Sequence, residues 1–179
     1  MTSVRGRRQG HSRDDTGATL VEFALVAPLV FLLIFALIGG CYLAFQNSSL
    51  HDGATAGARM ASIETGLVTA DDPATGLPWP NGLYCESGVP VSIEKSVSQA
   101  APLVPVNPAP LCATSSTATQ LTQTPTVNGS ANITVICGGS CASPTTTTVA
   151  LAFGDQGLVA PFGLTYHMTA TSQDPVLSP

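Results

Sequence analysis

The longest uninterrupted apolar stretch runs from Phe23 to Phe45 (FALVAPLVFLLIFALIGGCYLAF), 23 residues without a charged side chain. At about 1.5 Å of rise per residue, a helix of that length crosses a hydrocarbon core of about 30 Å with some tilt. A buried soluble helix of this composition would need a second layer of structure to cover it, more than the remainder of a 179-residue chain supplies. Beyond the apolar run Gly53, Ala54, Gly57, Ala58 and Ala61 recur three to four apart, a small-residue ridge that reads equally as a face on which another helix packs closely or as an Ala-rich, Gly-weakened helix that merely leads away from the membrane. The pattern predicts one helix over residues 18–65, transmembrane at first and then extended outside the membrane, ending near Gly66.

Residues 66–83 hold Asp71-Asp72-Pro73, Gly76, Pro78, Pro80 and Asn81-Gly82, a density of turn formers that reads as a linker. In residues 84–179 the period changes to two. Pro90–Glu94 and, more convincingly, Ala131–Cys137 alternate apolar and polar residues as half-buried strands do. Thr145–Phe153 and Leu164–Thr171 read as two further strands joined by a loop containing Gly154, Asp155, Gly157 and Pro161. Ala101–Thr126 is rich in Pro, Thr and Ala without a sustained period, and reads as an extended excursion tied down at Cys112. The fold class is therefore α+β: a long N-terminal transmembrane helix, then a small antiparallel β-rich domain with irregular Pro/Thr-rich loops, its sheet packed on the outer part of the helix.

Charge assigns the sides of the membrane. Arg5, Arg7, Arg8 and Arg13 crowd into a basic leader, residues 1–17, while only Arg59 and Lys95 follow. By the positive-inside bias the N-terminus is cytoplasmic and the β-rich domain extracytoplasmic. With so few cations outside the leader, nucleic acid is excluded as a partner of that domain. Charged residues make up 9% of the chain against about 25% in soluble domains, so hydroxyls and amides must solvate the outer domain.

Cys85, Cys112, Cys137 and Cys141 lie beyond the apolar run, an even set that reads as two disulfides in an oxidising compartment. Pairing of Cys137 with Cys141 and of Cys85 with Cys112 is one of three connectivities. A metal site is not expected, because His11, His51 and His167 are scattered; no cofactor motif and no hydrolase arrangement stands out, so the chain reads as a non-enzyme. Ile38-Gly39-Gly40-Cys41 has the form of a lipobox with Cys41 as the lipidated residue. The competing reading is a membrane-buried thiol beside a Gly pair that allows close helix approach.

Glu22 stands at the entrance of the apolar run, where an unpaired carboxylate costs several kcal/mol unless it reaches the headgroups or finds a partner. With Gly17 five residues earlier and Phe23 following, the segment resembles the processing site of type IV prepilins and pseudopilins. The resemblance implies cleavage between Gly17 and Ala18 by a prepilin peptidase, leaving an ammonium at Ala18 that neutralises Glu22 of a neighbouring subunit. The fuller string from Gly17 to Pro28, with Gly57-Ala58-Arg59 and Ala61 further on, is similar to TadE-like proteins of the tight-adherence (Flp-type) pilus system. That resemblance covers residues 17–62 and implies a single-pass protein of the bacterial cytoplasmic membrane. It would be a pilus assembly protein or minor pseudopilin that acts by helix packing with other pilin-like or TadE-like subunits and the pilus export platform. Gly53, Gly57, Ala58, Arg59 and Ala61 would form the packing face outside the membrane. The alternative is a surface lipoprotein or signal-anchored binding module lipidated at Cys41.

Overall fold

The computed structural model describes residues 15–63, 66–71, 76–79, 82–86, 93–155 and 166–176. The elements in chain order are α1 (Asp15–Ile63), β1 (Tyr84–Cys85), α2 (Ile93–Ala100), β2 (Leu111–Ala113), β3 (Gln120–Gln123), β4 (Asn132–Cys137), β5 (Thr146–Asp155) and β6 (Tyr166–Pro175). They form a long N-terminal apolar helix followed by a small antiparallel sheet, an α+β arrangement. The chain divides into two compact units, Met1–Cys41 and Tyr42–Pro179, with the boundary inside α1.

In the first unit α1 carries its apolar side chains outward on every side, from Leu20 and Phe23 through Phe35 to Ile38. Such a helix is stable in hydrocarbon, where each backbone N–H and C=O is satisfied within the helix and the side chains face lipid. Pro28 lies inside it without ending it.

The second unit is a six-stranded antiparallel sheet in sequential order β1 to β6, with the outer part of α1 and all of α2 on one face. Strand parity sets the core. Leu121, Val135 and Val149 are register partners on neighbouring strands and are fully buried, as are Leu151 and its partner Ile133. Leu50, Ala54, Ala58 and Ala61 meet them from α1, and Ile93 and Val97 from α2. The direction of α1 along the sheet follows from its neighbours. Gln46 bonds Tyr166 beside Asp155, Gly53 lies against Leu151, Gly57 against Val149, and the Ala58 carbonyl receives the Thr147 hydroxyl. α1 therefore runs antiparallel to β5 and parallel to β6.

Four sequence expectations change here. Pro90–Glu94 was expected as a strand, but Ile93 and Glu94 open α2, and residues 90–92 lie outside the described residues. Five alternating residues cannot distinguish a strand from a helical turn. The deciding feature is the four-residue spacing of Ile93 and Val97, both buried, together with the Glu86 carboxylate, which accepts the Ile93 N–H at the start of the helix. Ala101–Thr126 was expected as an extended excursion, yet it contains β2 and β3. The turn-rich segment 66–83 carries its own pairings: Thr69 and Cys85 exchange backbone hydrogen bonds of 2.8 and 3.1 Å, and the Leu67 N–H reaches the Cys141 carbonyl at 3.0 Å. β4, β5 and β6 fall where the alternation places strands, but Gly154 and Asp155, expected in the joining loop, are the last residues of β5, because their backbone continues the pairing with His167 and Tyr166 of β6; residues 156–165 lie outside the described residues.

Candidate functional site

Gly17 is exposed in the first turn of α1, and a Cβ built there meets nothing within 4 Å. The side chain of Ala18 lies outside the described residues. Glu22 is exposed between Val21 and Phe23, and among the described residues no ion pair neutralises it. An isolated carboxylate at an apolar boundary is costly, so Glu22 is stabilised by any headgroup, water or opposite charge that reaches it. Further along, Gly39 and Gly40 leave open space around the helix, and Cys41 is a free, exposed thiol. The helix continues unbroken through Ile38–Cys41.

The small-residue face is assembled as a unit. Gly53, Ala54, Gly57, Ala58 and Ala61 are all buried, whereas Arg59 is exposed on the other side of the helix. The helix that packs on this ridge belongs to the same chain. A Cβ on Gly53 would lie 3.0 Å from Ala101 Cβ, and one on Gly57 would lie 2.8 Å from Val97 Cγ2 and 3.2 Å from Val149 Cγ1. The ridge is therefore taken up by α2 and β5, and within one chain it does not face another subunit. At the Tyr42 end of this unit the Tyr166 hydroxyl donates to buried Gln46 Oε1 at 2.8 Å, while Gln46 Nε2 donates to the Tyr42 hydroxyl at 3.1 Å.

Sequence reading missed the polar braces that hold the loops to this scaffold. Gln123, 2% exposed, donates from Nε2 to the carbonyls of Asn107 and Ala109, both at 2.7 Å, and accepts the Ile133 N–H at 2.8 Å. Asn107 donates to the Pro125 carbonyl and to Asn132 Oδ1, both at 2.9 Å. Glu94 accepts the Leu111 N–H at 2.9 Å, so α2 is tied to β2. The available signal was parity: Gln123 sits two residues after Leu121, on the buried side of β3.

The cysteines form two disulfides, Cys85–Cys112 across β1 and β2, and Cys137–Cys141 around the turn after β4. The first closes a separation of 27 residues and the second one of 4. Loop-closure entropy then makes the first worth about 3–4 kcal/mol and the second about 2 kcal/mol. Replacing Cys85 and Cys112 together by serine is expected to lower the urea midpoint of the second unit by more than the Cys137/Cys141 double replacement does. Equal midpoints would rule out this ordering. Among the described residues no group of His, Cys, Asp or Glu is placed to hold a metal ion.

The features at Gly17, Glu22, Pro28 and Arg59 all lie on α1, and comparison with known proteins falls on the same helix. Residues 17–59 match the model of the TadE-like protein family. The match implies a part in tight-adherence pilus assembly, a family role that is generally non-enzymatic. The TadE-like region covers the exposed apolar segment and most of the small-residue ridge and stops short of the sheet. No curated protein and no solved structure matches the chain. The one apolar helix of the TadE-like region fits a single-pass membrane anchor.

Proposed function

We propose that this chain is a single-pass protein of the bacterial cytoplasmic membrane that serves tight-adherence pilus biogenesis as a TadE-like assembly protein or minor pseudopilin. The observation that carries the reading is the coincidence of the TadE-like match with a helix whose segment from Phe23 to Ile38 is apolar and exposed on every side. A helix of this kind works by lateral packing in lipid, with other pilin-like subunits and the export platform as its partners. The Arg-rich leader keeps the N-terminus in the cytoplasm and the sheet on the opposite side, where its disulfides persist.

Within that assembly Gly17 and Ala18 form the processing site for a prepilin peptidase. The exposure of Gly17 supports it, since a peptidase must reach the backbone on both sides of the scissile bond. Removal of the leader creates an ammonium at Ala18, and Glu22 of an adjacent subunit gives it a counter-charge in a low-dielectric setting. Pairing there fixes the axial register of neighbouring helices, because a one-turn slip would leave both charges unpaired. Gly39 and Gly40 offer a further place where a second helix comes close.

The test is the intact mass and N-terminal sequence of the protein purified from membranes of its native host. A mature chain beginning at Ala18, with Gly17→Leu leaving the leader attached, is the expected result. An acylated chain beginning at Cys41 would replace this reading with a lipoprotein anchor. An uncut chain would retain the anchor and remove the pseudopilin mechanism.

A further inference from the structure

The face of the sheet turned away from α1 and α2 is unlike the rest of the outer unit. Register partners on neighbouring strands share a side of the sheet, which gives Thr122, Thr134, Ala150 and Thr171 in one row across β3 to β6, and Gln120, Ile136, Thr148 and Gln173 in the next. Ala152 and Thr169 continue the same surface on β5 and β6. These residues are half-buried or exposed, and among the described residues none of the side chains on this face of β3–β6 is Asp, Glu, Lys or Arg. Asp174 lies on the opposite, core-facing parity of β6.

We propose that two copies of this chain associate through this uncharged face, stacking strands β3–β6 of one sheet on those of the other about a two-fold axis that runs along the strands. The inference rests on the anchoring proposed above, which requires both helices to leave the complex toward one membrane. Because α1 lies along β5, a two-fold axis parallel to the strands keeps the direction of α1 the same in both copies. Their Tyr42 ends then lie at the same end of the pair. Stacking about an in-plane axis across the strands reverses the direction of α1 in one copy, and antiparallel pairing of the β6 edges needs an axis perpendicular to the sheet. Either would point the two α1 helices in opposite directions, which two chains in one membrane cannot satisfy.

Charge favours a second copy as well. The chain carries a net charge of −5, and a face free of formal charge is the part of such a protein that approaches its own copy without like-charge repulsion. Alanine and threonine leave the surface shallow enough for two sheets to pack at about 10 Å with strands within about 30° of alignment. Four strands at about 4.8 Å spacing and about 25 Å of length bury roughly 1,000 Å² over both copies, the lower limit for a specific interface. The pair is accordingly weak in dilute detergent and forms in the membrane, where tethering raises the effective concentration.

The test uses the full chain in its native membrane, with Cys41→Ala to remove the free thiol. Ala150→Cys and Ala152→Cys, both on β5 beside the two-fold axis, are made singly and treated with a short bismaleimide, beside Asp52→Cys on the exposed side of α1. Cross-linked homodimer at both sheet positions and not at position 52 is expected, with at least a tenfold loss when Thr134→Lys is added to set two ammonium groups face to face. Absence of dimer, equal cross-linking at position 52, or a product joined to a different protein would overturn the proposal. Resistance of the protein to carbonate extraction, measured on the same membranes, reports separately on the anchoring.

Discussion

Gln123→Leu is expected to destabilise the outer unit by about 4 kcal/mol, although the two side chains are close in volume. The amide is 2% exposed and makes hydrogen bonds to two carbonyls and one N–H. Leucine fills the space and leaves those three backbone groups without partners, each costing about 1–3 kcal/mol when buried. The carbonyls belong to Asn107 and Ala109, in the connection from α2 to β2, so the loss also frees the loop that Asn107 fastens to Pro125 and Asn132. Urea unfolding of the full chain in detergent, followed by the near-ultraviolet signal, measures the effect. A midpoint within experimental error of the parent would show that the brace contributes nothing.

Gly57→Val is the second large change. A Cβ at this position already comes within 2.8 Å of Val97 Cγ2 and 3.2 Å of Val149 Cγ1, and valine adds two further methyl groups to that space. Helix α2 must move off the ridge or the sheet must retreat, at about 3 kcal/mol or more, which outweighs the gain in helix propensity from replacing glycine. The same substitution at Gly39 is the control, since nothing lies within 4 Å of a Cβ there. The outer unit should unfold at lower urea in Gly57→Val and at the parental concentration in Gly39→Val. Matching midpoints for both variants would mean that the ridge does not depend on its small residues.

The contrast between these two glycines marks where sequence was informative. The apolar run and the ridge were legible because each repeats over many residues, and repetition is what a hydrophobic period detects. β4 and β5 were legible for the same reason: Ile133 and Val135, and Val149 and Leu151, alternate with residues of the solvent side. α2 was not, since eight residues give only two buried positions, Ile93 and Val97, and its start depends on Glu86, seven residues earlier. β2 and β3 are held by the Cys85–Cys112 bond and by Gln123, contacts between positions far apart in sequence that no local period reports. The occupant of the ridge was hidden likewise: its spacing allows close packing there, and only the tertiary fold shows that α2 and β5 provide it.

The packing of the sheet on a helix made first has a consequence for the order of events during synthesis. Tyr166, which bonds Gln46, follows it by 120 residues, and Val149 and Leu151, which cover Gly57 and Gly53, come almost as late. At about 5–20 residues per second, the ridge spends on the order of ten seconds uncovered while the rest of the chain is made. A stripe of leucines held open that long beside a membrane would adhere to lipid or to other nascent chains. Glycine and alanine expose little apolar area per turn, so a surface that waits long for its full cover offers little for lipid or other chains to adhere to.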